Sequence, residues 1–175
     1  MKISLIITTF NEEKTIAKLL ESLFTQTRRP NEIVVVDGGS EDRTVEIIRH
    51  FQKKNTQIKL LVEKCSRAKG RNLGVEISSN DIIAMTDAGC VADRNWLKRI
   101  TEPFKNEKVD MVAGFYKMKG STSFQKALSF FLGTLPSKFD VNFLPSTRSI
   151  AFRKKLWLGI GGFPENQLSV WMVKN

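Results

Sequence analysis

Two stretches decide how this chain folds: Ile33-Val34-Val35-Val36-Asp37-Gly38-Gly39-Ser40 and Ile82-Ile83-Ala84-Met85-Thr86-Asp87-Ala88-Gly89. Each is an apolar run that ends in an aspartate followed by small residues. A run with no polar alternation reads as a strand buried on both faces, the kind found in parallel sheets covered by helices. In such sheets ligands bind outside the carboxyl ends of the strands. Asp37 and Asp87 are therefore delivered to the sheet edge, and they are the first candidates for chemistry.

Outward from these strands the same rhythm repeats. Ile3 to Thr9 reads as a first strand, and Asn11, with Glu12 and Glu13 behind it, reads as the N-cap and acidic first turn of a helix. Ile16, Leu19, Leu20, Leu23 and Phe24 then recur at helical spacing. After Pro30 and the first quoted strand, Ser40 is expected to cap a second helix carrying Val45, Ile48 and Phe51. Ile58 to Val62 reads as a strand, Arg67 to Ile77 as a helix weakened by Gly70 and Gly74, and Trp96, Leu97, Ile100 and Phe104 as the stripe of another helix. Strand and helix thus alternate four times, which predicts an α/β fold with a mostly parallel, Rossmann-like sheet and helices on both faces. Beyond that point Val109 to Phe115 reads as a fifth strand, Ser121 to Leu135 as helical, Arg148 to Phe152 as extended, and the segment from Leu158 to Pro164 as turn-rich.

Composition bounds the function. The chain has 175 residues, 41% hydrophobic and 26% charged, enough for one domain with a core. Cys65 and Cys90 form no CxxC pair, so neither zinc nor a disulfide framework is indicated, and a reduced, cytoplasmic setting follows. No apolar run approaches the length of a membrane span; the longest, Ala127 to Leu135, is far too short. The net charge of +10 is unevenly spread: residues 1–93 carry 14 Lys and Arg against 13 Asp and Glu, residues 94–175 carry 14 against 5. That basic half also holds Phe124, Phe130, Phe131, Phe139 and Phe143, a composition that suits peripheral contact with an anionic membrane at its inner face, or an anionic acceptor. A solvated face over core aromatics is the alternative. Nucleic-acid binding has no recognisable module behind it. His50 reads as a surface residue.

Four motifs occur in one order: Thr8-Thr9-Phe10-Asn11-Glu12-Glu13, then Asp37-Gly38-Gly39-Ser40-Glu41-Asp42-Arg43-Thr44, then Arg71-Asn72-Leu73-Gly74, then Thr86-Asp87-Ala88-Gly89. Together with Ser149 to Arg153 and Gly161-Gly162-Phe163-Pro164-Glu165, they resemble family 2 of the glycosyltransferases, with the GT-A nucleotide-sugar-binding fold. The resemblance covers nearly the whole chain. It implies transfer of a sugar from a nucleotide-diphosphate donor to an acceptor hydroxyl, with inversion at the anomeric carbon, the acceptor being a glycan or a lipid-linked molecule of cell-envelope polysaccharide type. It also implies that Thr9, Phe10, Glu12, Asp37, Gly39, Arg71, Asp87 and Ala88 bind the nucleotide sugar. Asp87 stands at the first position of the family's Asp-x-Asp signature, which implies a divalent cation, Mg²⁺ or Mn²⁺, on the diphosphate. The corresponding division is a nucleotide-sugar-binding part, residues 1–115, and a basic acceptor-side part, residues 116–175, within one domain. A helix cap for Asn11-Glu12, a tight turn for Asp37-Gly38-Gly39 and plain surface charge for Arg71 are the structural readings of the same residues.

The sequence departs from the family pattern at three places. Gly89 stands where the signature has its second carboxylate, with Asp93 the next acid, and Gly38 stands where many relatives carry another Asp. The acidic pair expected after Glu165 is missing, so no general base is assigned. A chain truncated or altered after about Leu168, or Glu165 or another carboxylate in the base's role, are the two expectations at that point. Three competing functions are an inactive nucleotide-sugar-binding fragment, a basic membrane or nucleic-acid adaptor, and a sugar-phosphate nucleotidyltransferase. The last needs a basic, Gly-rich loop after the first strand, where this chain has Asn11-Glu12-Glu13.

Overall fold

Three of the strands admit no water on either face, and this is why their sequences do not alternate. In the computed structural model, which describes residues 1–117, 122–123 and 146–165, β1 (Ile3–Thr9), β2 (Glu32–Asp37) and β4 (Ile82–Asp87) are buried almost throughout. With β3 (Ile58–Val62), β5 (Met111–Ala113) and β6 (Ile150–Arg153) they form one six-stranded sheet in the order β3-β2-β1-β4-β6-β5. The first four run parallel, while β6 lies antiparallel between β4 and β5. The mostly parallel α/β architecture is as the sequence predicts.

Successive side chains leave a strand on opposite faces, and each face has its own helices. Ile3, Leu5, Ile7, Ile33 and Val35 face α1 (Ile16–Phe24), α2 (Thr44–Lys54) and α4 (Trp96–Thr101), whose Leu19, Leu23, Ile48, Leu97 and Ile100 complete that core. Ile6, Val34, Val36, Ile83 and Met85 face α3 (Arg67–Glu76) and α5 (Lys154–Ile160), through Val75, Leu156 and Trp157. Each fully buried Leu or Ile contributes on the order of 1.5–3 kcal/mol of transfer free energy. Gly74 lets α3 lie directly on the sheet: a Cβ there would stand 2.5 Å from the Ile6 Cγ2. The two glycines that weaken α3 as an isolated helix are thus what lets it pack.

Several local expectations are corrected. Asn11 is not a helix cap: α1 begins five residues later, and Asn11 takes a left-handed φ of 54° that suits Asn better than most residues. Ser40 does not cap α2, which starts at Thr44, because its hydroxyl is held by Asp37 instead. In α2 the stripe on the core is Ile47, Ile48 and Phe51, with Val45 outside it. The fifth strand is three residues long rather than seven. Residues 154–160 form α5, so the turn proper is Gly161-Gly162, both at positive φ, with the Gly162 N–H on the Trp157 carbonyl as in a glycine-closed helix end. All but residues 122–123 of the predicted helix from Ser121 to Leu135, the aromatics Phe124 to Phe143, and the final residues 166–175 lie outside the described residues. Among the described residues no helix is long and apolar enough to cross a membrane.

Candidate active site

The strand order reverses direction between β1 and β4, and at such a switch point the flanking loops part to leave a crevice. The register places both sequence-marked aspartates there: Thr9 of β1 lies opposite Asp37, and Thr8 lies opposite Asp87. A cleft of about 1370 Å³ opens above these strand ends. Thr9, Phe10, Glu12, Asp87 and Ala88 line it, and Phe10 stands 57% exposed at its mouth. Ser66, Arg67 and Gly70, at the start of α3, also line it, so the positive end of that helix is turned toward the crevice.

The loops after β1 and β2 are fastened to each other. The Asn11 N–H donates to Ser40 Oγ (2.8 Å), the Glu41 N–H to Asn11 Oδ1 (2.9 Å), the Glu12 N–H to Thr44 Oγ1 (2.7 Å), and the Gly38 N–H to the Thr9 carbonyl (2.9 Å). The Glu12 carboxylate accepts from the Thr15 hydroxyl. Asp37 is wholly buried and serves its own loop: Oδ1 accepts from the Gly39 and Ser40 N–H groups at 3.0 and 2.7 Å, and Oδ2 from Ser40 Oγ at 2.6 Å. Of this turn it is Gly38 that lines the cleft. Thr9 Oγ1 is buried without a hydrogen-bond partner among the described residues.

Asp87 gathers side chains from two distant segments. Arg71 of α3 brings Nη2 to 3.6 Å from Oδ1, and Arg148 brings Nε to 3.9 Å from Oδ2. The Thr147 hydroxyl lies between, donating to Asp87 Oδ1 at 3.4 Å and accepting from Arg71 Nη2 at 2.6 Å. Arg71 is only 16% exposed, so it is not plain surface charge, and its ring-side face lies over Phe163. Burial pulls its pKa down while Asp87 pushes it up, and a guanidinium so placed keeps its charge. Arg148 lies over the Tyr116 ring and donates to the Tyr116 hydroxyl at 3.1 Å.

Sequence reasoning missed Arg148, Thr147 and Asn72. The first two precede the Ser149 motif by one and two positions, and only the return of β6 beside β4 carries them to Asp87. Asn72 sits inside a quoted motif and uses its whole amide: Nδ2 donates to the Phe163 carbonyl and to Glu165 Oε1, while Oδ1 accepts from the Phe163 N–H and Trp157 Nε1. The candidate base Glu165 is therefore an exposed carboxylate tied to Asn72.

The donors at Asp87 do not suit a divalent cation. Such ions take six or more oxygens, and here one carboxylate faces two guanidiniums. Two unit charges of like sign 4 Å apart repel by about 4 kcal/mol near a protein surface, so the two guanidiniums beside Asp87 oppose an ion there. Asp93 is exposed and accepts the Asn95 N–H. Burial pushes the Cys90 thiol up, which keeps it protonated. Among the described residues no group of three His, Cys, Asp or Glu side chains converges.

The family model described as glycosyl transferase family 2 matches residues 4–160. The chain belongs to glycosyl transferase family 2. Among curated relatives of the family it is 30% identical to the glycosyltransferase AglE of Haloferax volcanii, over 95% of this chain and 57% of that one. It is 35% identical, over 61% of this chain and 35% of the relative, to a Methanococcus voltae enzyme named dolichyl N-acetyl-alpha-D-glucosaminyl phosphate 3-beta-D-2,3-diacetamido-2,3-dideoxy-beta-D-glucuronosyltransferase. Among solved structures, S. aureus TarS in complex with UDP superposes with a TM-score of 0.76 at 26% identity, covering 97% of this chain and 52% of that one. The Pyrobaculum calidifontis mannosyltransferase PcManGT, solved with GDP-Man and Mn²⁺, shares the fold at 24% identity and a TM-score of 0.73, over 94% of this chain and 48% of that one. The fold is therefore that of the GT-A glycosyltransferases, and the chain spans between 17% and 57% of the length of the curated relatives it matches.

Proposed function

We propose that this chain binds a nucleotide-diphosphate sugar in the crevice between β1 and β4 and belongs to an enzyme that transfers the sugar to an acceptor hydroxyl. The observation that carries this reading is the convergence of Thr9, Phe10 and Asp87 on one cleft at the switch point of a family 2 fold. The exposed Phe10 ring offers a face for the base, and the unpartnered Thr9 hydroxyl offers a hydrogen bond to the ribose. Gly38, in the turn that Asp37 shapes, allows close approach of the ligand to the backbone, and Asp87 lines the same cleft.

The family resemblance supports inversion. The acceptor oxygen attacks the anomeric carbon from the side opposite the diphosphate, the sugar–phosphate bond breaks, the nucleoside diphosphate leaves with its electron pair, and the acceptor proton passes to a base. Of the metal assistance that the resemblance also implies, Asp87 is the one signature carboxylate that this chain retains. A lipid-linked acceptor is supported by the dolichyl phosphate in the name of the M. voltae relative. Contact with an anionic membrane from the cytoplasmic side is supported by the basic surplus of residues 94–175.

Calorimetric titration of the 175-residue chain with UDP-, GDP- and dTDP-sugars tests the donor half, the UDP complex of TarS making uridine nucleotides the first choice. Saturable binding of one nucleotide class is expected. A folded chain that binds none overturns the proposal. Donor hydrolysis or transfer then separates an active enzyme from an inactive binding fragment.

A further inference from the structure

We propose that the Arg71–Arg148 pair takes up the charge of the donor diphosphate directly, so that nucleotide binding by this chain needs no divalent cation. The inference rests on the donor-binding reading above and concerns the same cleft.

Four observations carry it. First, the two guanidiniums stand against opposite oxygens of Asp87 at 3.6 and 3.9 Å, longer than the 2.7–2.9 Å of a closed charge-assisted hydrogen bond. Asp87 therefore orients both groups without using up their donors, and the cluster of two cations and one anion keeps a positive charge at the crevice. Second, the two guanidiniums are held in place. Arg71 is braced by Thr147 and Phe163, its Nε is buried, and its side chain remains 16% exposed beside Asp87. Arg148 is steadied from behind by Tyr116, is 46% exposed and lines the cleft.

Third, the second signature carboxylate is replaced in this chain. Gly89 occupies the second signature position, and the Glu165 carboxylate is tied to Asn72. Fourth, the planar guanidinium matches phosphate oxygens two at a time, which a diphosphate bridging two such groups satisfies without an ion. Asp87 is then a positioning residue for the two arginines rather than a metal ligand.

The test is calorimetric titration of the full chain with UDP, GDP and dTDP, each in excess EDTA and each with Mg²⁺ or Mn²⁺, alongside the corresponding nucleosides. One diphosphate is expected to bind in EDTA, with an affinity that either ion changes by less than about threefold. Arg148→Ala and Arg71→Lys, each checked for folding by circular dichroism, are expected to weaken that diphosphate by about tenfold or more while leaving the nucleoside unaffected. Binding that appears only when an ion is added overturns the inference and leaves the donor-binding reading intact. So does metal-free diphosphate binding that both variants retain at full strength. Failure of a folded chain to bind any nucleotide under either condition overturns the donor-binding reading and this inference with it.

Discussion

Asn72 and Phe163, ninety-one positions apart, are joined by a reciprocal pair of hydrogen bonds: Asn72 Nδ2 donates to the Phe163 carbonyl at 2.9 Å, and the Phe163 N–H donates to Asn72 Oδ1 at 2.8 Å. The adjacent residue, Arg71, runs from the same turn of α3 to Asp87. One helical turn therefore holds the Gly-Gly-Phe-Pro-Glu segment with one side chain and Asp87 with the next. Asn72→Ala leaves the Phe163 N–H and Trp157 Nε1 without their acceptor. It is expected to cost about 1–3 kcal/mol in urea unfolding and to change Trp fluorescence in the folded chain. An unchanged unfolding midpoint would show that the amide is dispensable.

Gly89 has no atom within 4 Å of where a Cβ would stand, so a side chain fits there. Gly89→Asp adds the carboxylate that the signature lacks and offsets one of the two arginine charges. The variant is expected to match the parent in stability to within about 0.5 kcal/mol. Its nucleoside-diphosphate affinity is expected to rise about tenfold or more with Mn²⁺, a response expected to be absent in the parent. Equal affinity with and without the ion would count against this account of the cluster.

Gly70 and Gly74 lie on one face of α3, and their environments differ. A Cβ at Gly70 meets its nearest neighbours at 3.5 Å, ordinary contact, while one at Gly74 meets Ile6 at 2.5 Å. Gly70→Ala is expected to stabilise by up to about 1 kcal/mol through helix propensity. Gly74→Ala is expected to destabilise by about 1–3 kcal/mol through overpacking. Thermal unfolding of the pair checks the sign of each, and like shifts in both would contradict the packing described for α3.

Glu32 anchors the opposite end of the sheet from the cleft. Its carboxylate accepts from Ser4 Oγ and the Ser79 N–H, each at 2.5 Å, and pairs with Lys59 Nζ at 2.6 Å. Burial alone would raise its pKa, but the hydrogen bonds from Lys59, Ser4 and Ser79 and the Lys59 charge outweigh that and hold it below the ordinary 4.5. A carboxyl whose pKa is lower folded than unfolded stabilises fully above the unfolded value and loses that contribution as pH falls through the folded one. Glu32→Gln is expected to cost about 1–3 kcal/mol at neutral pH. The gap between parent and variant in urea midpoints is expected to close below pH 4.5. A gap independent of pH would mean that the charge is not what the site uses.

Phe10 is the exposed aromatic at the mouth of the cleft. If it stacks on the base, Phe10→Ala weakens nucleoside and nucleoside diphosphate alike, by about 1–3 kcal/mol. Titration with both ligands checks this, and loss confined to the diphosphate would assign Phe10 a different contact.

The sheet was legible in the sequence because burial on two faces leaves a continuous apolar signature: β1 and β3 run as read, and β2 and β4 each differ by one residue. The loops were less so. Asn11 and Ser40 are good cap residues taken alone, yet each finds its partner in the neighbouring loop, a competition that no local pattern reveals.

By itself, the sequence determined the alternation of strands and helices, the two aspartates at the carboxyl ends and the family, because these depend on composition and spacing along one stretch of chain. The company Asp87 keeps was decided only by tertiary structure. Arg71 comes from α3 and Arg148 from the approach to β6, and they meet because the antiparallel return of β6 beside β4 brings residue 148 to the same strand end. Whether a carboxylate meets a metal or a guanidinium depends on which charges the fold sets within a few ångströms of it.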